Sequence, residues 1–274
     1  MQCFPEPVLL VSDIDGTLLT KDYHIPLRNI MAIRRFQQEG GLFTVATGRS
    51  IESGRDTLRQ VRPNAPCIVL NGGMLCVFDS KHTIWSHPLP LNAERFIWTL
   101  YHRFPTTAIE LFSKSQIYLL QENGYSISHL KRSQVQGISI INGILPRHIY
   151  KILLMDDVSV IQKIGCYLQE ECPDFLRYFA SSAHYLEIVP ADVNKGCALR
   201  KLSKLSGVRS ECTFAIGDYE NDLELIQSAS LSAAPANAID EIKAAAALTV
   251  SDCSNGAVAD FIEYIEAMYH LHNV

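Results

Sequence analysis

Short apolar runs alternate with helix-type periodicity in the first part of the chain. Residues 7–12, 42–46 and 67–70 are continuous apolar runs that end in polar loops, which is typical of buried strands. Between the first two runs, residues 26–39 carry apolar side chains at every third position, which predicts an amphipathic helix. A second helix is predicted to begin at Ser50, with this serine as its N-cap. Strand, helix, strand, helix and strand in this order predict a parallel sheet covered by helices on both faces.

The middle of the chain has a different pattern, in which helices alternate with pairs of strands joined by short turns. The helices predicted here are residues 91–104 and 158–171, and the strands are residues 107–112, 116–121, 149–155, 175–180 and 184–189. Strands joined by such short turns are antiparallel. We therefore predict an α+β unit of about 100 residues, which is enough for a core of its own.

After Pro190 the first pattern returns. The elements predicted there are helices at residues 195–205, 221–228, 236–247 and 256–270 and strands at residues 213–216 and 231–233. We predict an α/β protein whose core domain has a Rossmann-like, mostly parallel sheet and comprises residues 1–82 and 190–274. An α+β domain, residues 83–189, is predicted to be inserted into it.

The composition indicates a globular protein. Of its 274 residues, 47% are hydrophobic and 19% are charged, so the chain can bury a large core and is not expected to be disordered. The formal net charge of −5 argues against nucleic acid as a partner, because phosphate backbones are bound by clustered Lys and Arg. Residues 1–7 lack the pattern of a secretory signal, and no apolar run is long enough to span a membrane. The eight cysteines, Cys3 to Cys253, are scattered as expected for reduced thiols, so we expect a cytoplasmic protein without a membrane partner and leave its oligomeric state open.

Acidic side chains follow two predicted strands of the core where each strand ends. Asp13 and Asp15 follow the first strand, and Asp218 and Asp222 follow the strand at residues 213–216. Because the carboxyl ends of parallel strands share one edge of the sheet, we expect these carboxylates to converge. One of them alone would more simply shape a turn or cap a helix, but several together repel one another unless a cation neutralises them. Few ligands, all of them oxygen, favour Mg²⁺ over Ca²⁺ or Zn²⁺.

Four short motifs resemble those of the haloacid dehalogenase superfamily. Residues 13–19, Asp-Ile-Asp-Gly-Thr-Leu-Leu, resemble its first motif, D-x-D-G-T-L, and residues 45–49, Val-Ala-Thr-Gly-Arg, resemble the second. Lys195 with Gly196 resembles the third motif, and residues 217–222 resemble the fourth, G-D-x-x-N-D. The insert between the second and third motifs resembles the type C2B cap of the Cof-like type IIB phosphatases. The resemblance covers nearly the whole chain.

The resemblance implies a role for each catalytic residue. Asp13 is expected to be the nucleophile that forms an aspartyl-phosphate, and Asp15 the general acid and base. Thr47 is expected to bind a phosphoryl oxygen, and Lys195 to supply positive charge to the transition state. By itself, Lys195 would more simply be a solvated lysine at the start of a helix.

The resemblance also implies a metal site and a substrate site. Mg²⁺ is expected to be bound by the carboxylates of Asp13 and Asp218 and by the carbonyl oxygen of Asp15, while Asp222 acts partly through water. The residues expected to bind the substrate are Gly16, Gly48, Arg49, Asn71 and Asn221.

Several residues have a simpler alternative. Arg49 either orients the substrate or pairs with a surface carboxylate, and Asn71 either lines the site or belongs to an ordinary turn. Thr17 either makes a catalytic hydrogen bond or shapes a turn. Glu187 is a weak candidate for substrate contact and is more simply a carboxylate on the surface of a strand.

Together these observations predict a Mg²⁺-dependent phosphatase, a phosphoric monoester hydrolase. Its substrate is expected to be a small phosphomonoester such as a sugar phosphate or a nucleotide-like cofactor. One alternative is a phosphomutase, because related mutases share the motifs and a comparable cap. The other is a non-catalytic protein that binds a phosphate ligand on the same scaffold.

Overall fold

The computed structural model describes residues 4–80 and 82–272, and the chain folds into two compact units. The first, here called the core unit, contains the chain up to Gly48, Arg55–Trp85 and the chain from Asn194 onward. The second, here called the inserted unit, contains Arg49–Gly54 and Ser86–Val193.

Strands and helices are both numbered along the chain. The strands are β1 (Leu9–Ser12), β2 (Leu42–Val45), β3 (Cys67–Val69), β4 (Met74–Cys76), β5 (Thr83–Ser86), β6 (Ala108–Phe112), β7 (Ile117–Gln121), β8 (Gly137–Ser139), β9 (Lys151–Met155), β10 (Leu176–Ser182), β11 (Tyr185–Pro190), β12 (Thr213–Ile216), β13 (Leu231–Pro235) and β14 (Leu248–Val250). The helices are α1 (Leu27–Gln38), α2 (Arg55–Val61), α3 (Ala93–Arg103), α4 (Gly124–Ser133), α5 (Val158–Glu171), α6 (Lys195–Leu205), α7 (Leu223–Ser228), α8 (Asp240–Ala245) and α9 (Ala257–His272).

The core unit is built on a five-stranded parallel sheet with the order β14-β13-β12-β1-β2. β1 lies between β12 and β2, and its four residues are all buried, as its apolar run predicts. Its last residue, Ser12, is paired with Ile216 at the end of β12 and with Val45 at the end of β2. The carboxyl ends of these three strands therefore lie side by side, and the predicted α/β fold with a mostly parallel sheet is confirmed.

The third predicted strand, β3, contacts this sheet through a single parallel bridge between Ala46 and Ile68. It also belongs to a three-stranded sheet with β4 and β5, two short strands that the sequence pattern did not predict. β3 and β4 are antiparallel and are joined by one turn of 3₁₀ helix, Leu70–Gly72. This turn lies at the edge of the parallel sheet at which β2 ends.

The helix predicted to begin at Ser50 is wrong. Residues 51–54 form turns, and α2 begins only at Arg55. The Ser50 hydroxyl accepts the backbone N–H of Ser53 at 3.2 Å, which is the bond of a serine-closed turn. The same side-chain chemistry that suggested an N-cap therefore stabilises a turn.

The helix predicted at residues 236–247 is also largely wrong, because it is reduced to the six residues of α8 and is followed by β14. Asn237 explains the late start of α8. Its side chain donates to the Gly16 carbonyl oxygen at 2.7 Å and accepts the Cys253 N–H at 2.9 Å. These tertiary bonds hold the segment outside the helix despite its alanine-rich composition.

The inserted unit is built on a six-stranded sheet with the order β10-β11-β9-β6-β7-β8. Its neighbouring strands are antiparallel except for β7 and β8, which are parallel. α3 and α5 share one apolar cluster with this sheet, to which Phe96, Ile152 and Ile164 belong. The predicted α+β character is present, whereas α4 and β8 were not predicted. α4 carries a signal that could have been found, since Asn123 and Ser126 form a capping box at its start.

None of the helices in the described part of the chain has both the length and the apolar character needed to cross a bilayer. The seven cysteines from Cys67 to Cys253 form no disulfide among themselves, while Cys3 lies outside the described residues.

Candidate active site

The site lies at the carboxyl ends of β1 and β12 in the core unit. Asp13 directly follows β1, and its N–H donates to the carbonyl oxygen of Ile216, the last residue of β12. Asp218 and Asp222 follow β12. Oxygen atoms of Asp13, Asp218 and Asp222 all lie within 4.8 Å of one another. The expected convergence of carboxylates at this edge of the sheet is therefore observed for these three residues.

Asp15 is not one of the three. Residues 14–19 form a tight turn, in which the N–H groups of Leu18 and Leu19 both donate to the Ile14 carbonyl oxygen. Asp15 lies on this turn, and its side chain is exposed. Of the three or four carboxylates expected to converge, the side chain of Asp15 is therefore the one outside the cluster, while its predicted acid and base role stays a prediction.

Lys195 is buried among these carboxylates. It is the first residue of α6, only 1% of it is exposed, and its Nζ lies 2.6 Å from Asp13 Oδ1 and 2.6 Å from Asp222 Oδ1. Burial acts to lower the pKa of Lys195, but Asp13 and Asp222 outweigh it, so the pKa is raised and the ammonium stays charged. A solvated lysine, the simpler alternative, is therefore excluded.

Burial and mutual repulsion raise the pKa values of two of these carboxyl groups, Asp13 and Asp218. Burial is the main reason why the pKa of Asp218 is raised from 3.8 to about 7, and repulsion from Asp222 adds to it. Burial also raises the pKa of Asp13 well above its ordinary value, although Lys195 opposes the shift. Three acidic groups share one ammonium here, so the site favours a further cation. Its donors are all oxygen atoms, as Mg²⁺ requires.

Asp222 organises the loop after β12. Its Oδ1 accepts from Lys195, and its Oδ2 accepts the N–H groups of Asp218 (3.0 Å) and Tyr219 (3.2 Å). Gly217 makes room for this arrangement, because a Cβ there would lie 2.5 Å from the Asp222 carboxyl carbon. Asp222 is fully buried. Its observed contacts are those of a residue that holds Lys195 and Asp218 in place.

Gly16 and Thr17 fix the orientation of Asp218. The Thr17 hydroxyl donates to Asp218 Oδ1 at 2.7 Å, so Thr17 does more than shape a turn. Gly16 has φ +83°, and a Cβ at this position would lie 2.4 Å from Asp218 Oδ2. Only glycine permits both the left-handed backbone and the close approach of the carboxylate.

Thr47, Gly48, Asn71 and Asn221 are also brought together. The Asn71 N–H donates to the Thr47 carbonyl oxygen at 3.0 Å, and Asn221 Nδ2 donates to Asn71 Oδ1 at 3.1 Å. A Cβ on Gly48 would lie 3.0 Å from Asn71 Oδ1. Asn71 therefore links the second motif to the fourth, which an ordinary surface turn would not do.

Arg49 belongs to the inserted unit, where its guanidinium donates to the Ser53 carbonyl oxygen at 3.3 Å. Its predicted contact with substrate stays a prediction. Sequence reasoning missed Asn237, whose side chain bonds to the Gly16 carbonyl oxygen and so supports the first motif. The available signal was its position, since Asn237 is a polar residue two positions beyond the end of β13.

A parallel sheet with an acidic cluster and a buried lysine at its carboxyl edge is an arrangement that suits phosphoryl transfer. A family model described as haloacid dehalogenase-like hydrolase matches residues 10–262. The chain therefore belongs to this family, and the resemblance of its four motifs is confirmed.

Individual relatives agree with this assignment. The chain is 24% identical over 264 residues to the 5-amino-6-(5-phospho-D-ribitylamino)uracil phosphatase YitU of Bacillus subtilis, covering 94% of this chain and 97% of that protein. A haloacid dehalogenase-like hydrolase from Bacteroides thetaiotaomicron has a similar structure, with a TM-score of 0.85 at 23% identity, over 95% of this chain and 100% of that one. The subclass IIB sugar phosphatase BT4131 has a TM-score of 0.81 at 16% identity, over 94% and 98% of the two chains. The predicted enzyme class, a phosphatase of this family, is confirmed.

Proposed function

We propose that the chain hydrolyses a small phosphomonoester with the help of Mg²⁺, through a phosphoryl group carried transiently on Asp13. The observation that carries this proposal is the arrangement of Asp13, Asp218 and Asp222 around one buried lysine. Such a site attracts a divalent cation and the phosphoryl group that the cation binds. The core unit, which contains all three carboxylates and Lys195, is the proposed catalytic domain.

Asp13 attacks phosphorus in line with the departing oxygen. A bond forms between a carboxylate oxygen of Asp13 and phosphorus, the bond from phosphorus to the substrate oxygen breaks, and Asp15 gives the leaving alcohol its proton. Water then attacks the same phosphorus while Asp15 takes its proton, and the Asp13 carboxylate is released with inorganic phosphate. The exposed position of Asp15, two residues beyond the buried Asp13, suits a group that exchanges protons with substrate and water.

Lys195 and Thr47 stabilise the negative charge on the transferred phosphoryl group. Lys195 donates to Asp13 Oδ1, which fixes the orientation of the nucleophile and places a positive charge beside the reacting phosphorus. Thr47 is buried at the end of β2 and offers its hydroxyl to a phosphoryl oxygen. Gly48, Asn71 and Asn221 pack beside it and are proposed to complete the phosphate site.

Asp13 and Asp218 are the proposed carboxylate ligands of Mg²⁺, together with the carbonyl oxygen of Asp15. When bound, Mg²⁺ neutralises the carboxylates and polarises the phosphoryl oxygens. Both oxygens of Asp222 already accept hydrogen bonds, which supports a contribution through water and through Lys195.

The substrate is proposed to be a small phosphorylated metabolite. One relative is named for a phosphorylated ribitylaminouracil, and a structural neighbour is named as a sugar phosphatase, so proteins similar to this chain act on different small molecules. A sugar phosphate or a nucleotide-like cofactor fits the substrates that these two names give. The inserted unit, predicted as residues 83–189, is proposed to contribute to the choice among them.

The test is a screen of phosphomonoesters, including p-nitrophenyl phosphate, read as phosphate released with and without Mg²⁺. Asp13→Asn is expected to lower turnover at least about a thousandfold, because the nucleophile is lost. Asp56→Asn, which changes an exposed carboxylate of α2, is the control and should leave turnover unchanged.

Three outcomes would contradict the proposal. Retained activity in Asp13→Asn would remove the nucleophile assignment. Return of the phosphoryl group to the sugar, with a requirement for a bisphosphate primer, would identify a mutase. Binding of phosphate ligands without turnover, and without any effect of Mg²⁺ on thermal stability, would identify a binding protein.

A further inference from the structure

The turn between β3 and β4 has an unusual backbone. Leu70, Asn71 and Gly72 follow one another with φ values of 53°, 55° and 97°. A left-handed conformation costs a residue other than glycine roughly 1 kcal/mol or more. Two such residues in succession indicate that the surrounding structure imposes this shape on the turn, here called the left-handed corner.

Gly72 is where the left-handed corner contacts the start of α6. A Cβ on Gly72 would lie 2.3 Å from the carbonyl oxygen of Asn194, 2.6 Å from its carbonyl carbon and 3.1 Å from the Lys195 nitrogen. These are backbone atoms, so they cannot turn aside as the end of a flexible side chain can. Only glycine lets the two segments approach this closely.

The start of α6 is held in place by two hydrogen bonds to the residue before it, Asn194. Asn194 Oδ1 accepts the Cys197 N–H at 2.7 Å, and the Asn194 carbonyl oxygen accepts the Ala198 N–H at 3.2 Å. Lys195 is the next residue, and its ammonium lies 2.6 Å from Asp13 Oδ1. A shift of the Asn194 backbone would therefore move the lysine relative to Asp13.

The other end of the left-handed corner is attached to the second motif. The Asn71 N–H donates to the Thr47 carbonyl oxygen at 3.0 Å, and Asn71 Oδ1 accepts from Asn221 Nδ2 at 3.1 Å. The corner thus connects Thr47, two residues beyond the end of β2, to the residue before Lys195.

We infer that Gly72, through the left-handed corner, is a positioning residue that sets the place of Lys195 beside Asp13. Gly72 carries no side chain and contributes by allowing the contact with Asn194. The inference rests on the proposed function, in which Lys195 supports phosphoryl transfer.

The main test compares Gly72→Ala with Gly207→Ala. Gly207 also has a positive φ, +67°, but a Cβ there would have nothing within 4 Å. Both substitutions carry the backbone cost, and only Gly72→Ala pushes on α6. We expect kcat to fall about 100-fold in Gly72→Ala, as for a displacement of about 1 Å at a catalytic group, and to stay within about twofold in Gly207→Ala. Equal effects of the two substitutions would overturn the inference.

A double-mutant cycle with Lys195→Met separates positioning from loss of stability. If Gly72 acts through Lys195, Gly72→Ala should cost little further kcat in the Lys195→Met background. An undiminished effect in that background would overturn the inference. Circular dichroism establishes that each variant is folded at the assay temperature.

Asn71→Gly keeps the inference testable if Gly72→Ala does not fold. Glycine accepts the same φ, so this change removes only the carboxamide, which fixes the corner and is also proposed to line the phosphate site. A smaller fall in kcat, about tenfold, is expected, and the part of it that acts through the corner should disappear in Lys195→Met. Persistence of the full effect there would count against the corner as a positioning element.

A crystal structure of the folded variant distinguishes failure of the inference from failure of the proposed function. Lengthening of the 2.6 Å contact between Lys195 Nζ and Asp13 Oδ1 supports the inference whatever reaction the protein catalyses. An unchanged contact would overturn it. If the wild-type chain released no phosphate from any ester, only the proposed function would fail.

Discussion

The core unit and the inserted unit both bury charged side chains, but they balance them differently. In the inserted unit one buried ammonium faces a buried carboxylate, since Lys151 Nζ lies 2.8 Å from Glu187 Oε2, and buried Asp156 accepts hydrogen bonds from the hydroxyls of Thr106 and Thr107. Glu187, expected on the surface of its strand, is buried. In the core unit three carboxylates lie together, and the ammonium of Lys195 contacts two of them, Asp13 and Asp222. A buried pair can be purely structural, whereas an unbalanced cluster has to take up protons or bind another cation.

The largest expected effect comes from replacing the buried lysine of the core unit, Lys195, and comparing the result with the same change at Lys151 in the inserted unit. Lys195→Met should lower turnover about a thousandfold, because charge stabilisation of the transition state is lost. It should also destabilise the metal-free protein by about 3–5 kcal/mol, since buried carboxylates lose their cation. Mg²⁺ should then raise the melting temperature more than it does in the wild type.

Lys151→Met is the matched variant in the inserted unit. It removes the ammonium beside Glu187 and should lower stability as well, while the response of the melting temperature to Mg²⁺ stays as in the wild type. An equal change of the Mg²⁺ response in both variants would contradict the distinction between the two clusters.

Asp218→Asn should remove part of the excess negative charge. We expect turnover to fall about 100-fold and Mg²⁺ to stabilise the variant no longer, because a carboxylate ligand is lost. Without metal at pH 8, the variant should be more stable than the wild type by roughly 2 kcal/mol, since a buried group with a raised pKa no longer has to ionise. Chemical unfolding in the presence of EDTA measures this difference, and a less stable variant would refute the explanation.

The affinity for Mg²⁺ should depend on pH. The pKa of Asp218 is raised from 3.8 to about 7, so its protonated form stabilises the metal-free fold at low pH, and this contribution is lost as the pH rises through 7. Mg²⁺ has to displace that proton, so its affinity should fall about tenfold between pH 8 and pH 6. Calorimetry in two buffers of different ionisation enthalpy should detect proton release near pH 6.5. An affinity independent of pH would show that Asp218 is already ionised.

The smallest effect is expected from Thr17→Val. This change removes the hydroxyl that donates to Asp218 Oδ1 and preserves the shape of the buried side chain. The loss of about 1 kcal/mol should weaken Mg²⁺ binding roughly fivefold. Thr17→Ser retains the hydroxyl and should bind Mg²⁺ as the wild type does. Equal weakening in both variants would point to packing instead of the hydrogen bond.

Much of the core was predictable because its signals are local. The apolar runs of β1, β2 and β12 are followed directly by polar residues, and parallel strands place those residues at one edge. Asp13 and Asp218 follow from this rule alone. The observed pairing of Lys195 with Asp13 and Asp222 has no such local signal, and only its place after the other motifs pointed to it.

The elements that were predicted wrongly share a physical cause, because tertiary contacts override the local preference of the sequence for helix. Ser50 had the chemistry of an N-cap, but its hydroxyl closes a turn with Ser53. The alanine-rich stretch around Asn237 had high helix propensity, but two side-chain hydrogen bonds hold it elsewhere. The Asn-Gly-Gly sequence at residues 71–73 indicated a turn, but the reason for a glycine at position 72 lies in a chain segment more than a hundred residues away.

The position of β1 between β2 and β12 has a consequence for biosynthesis. Leu9 and its neighbours leave the ribosome early, but β12, one of their two partners, is made more than two hundred residues later. Asp13, the proposed nucleophile, is therefore present for most of the synthesis of the chain before Lys195 and the loop with Asp218 have been made. We expect ribosome-bound chains that end before Thr213 to be cut by protease within β1, and longer chains to resist.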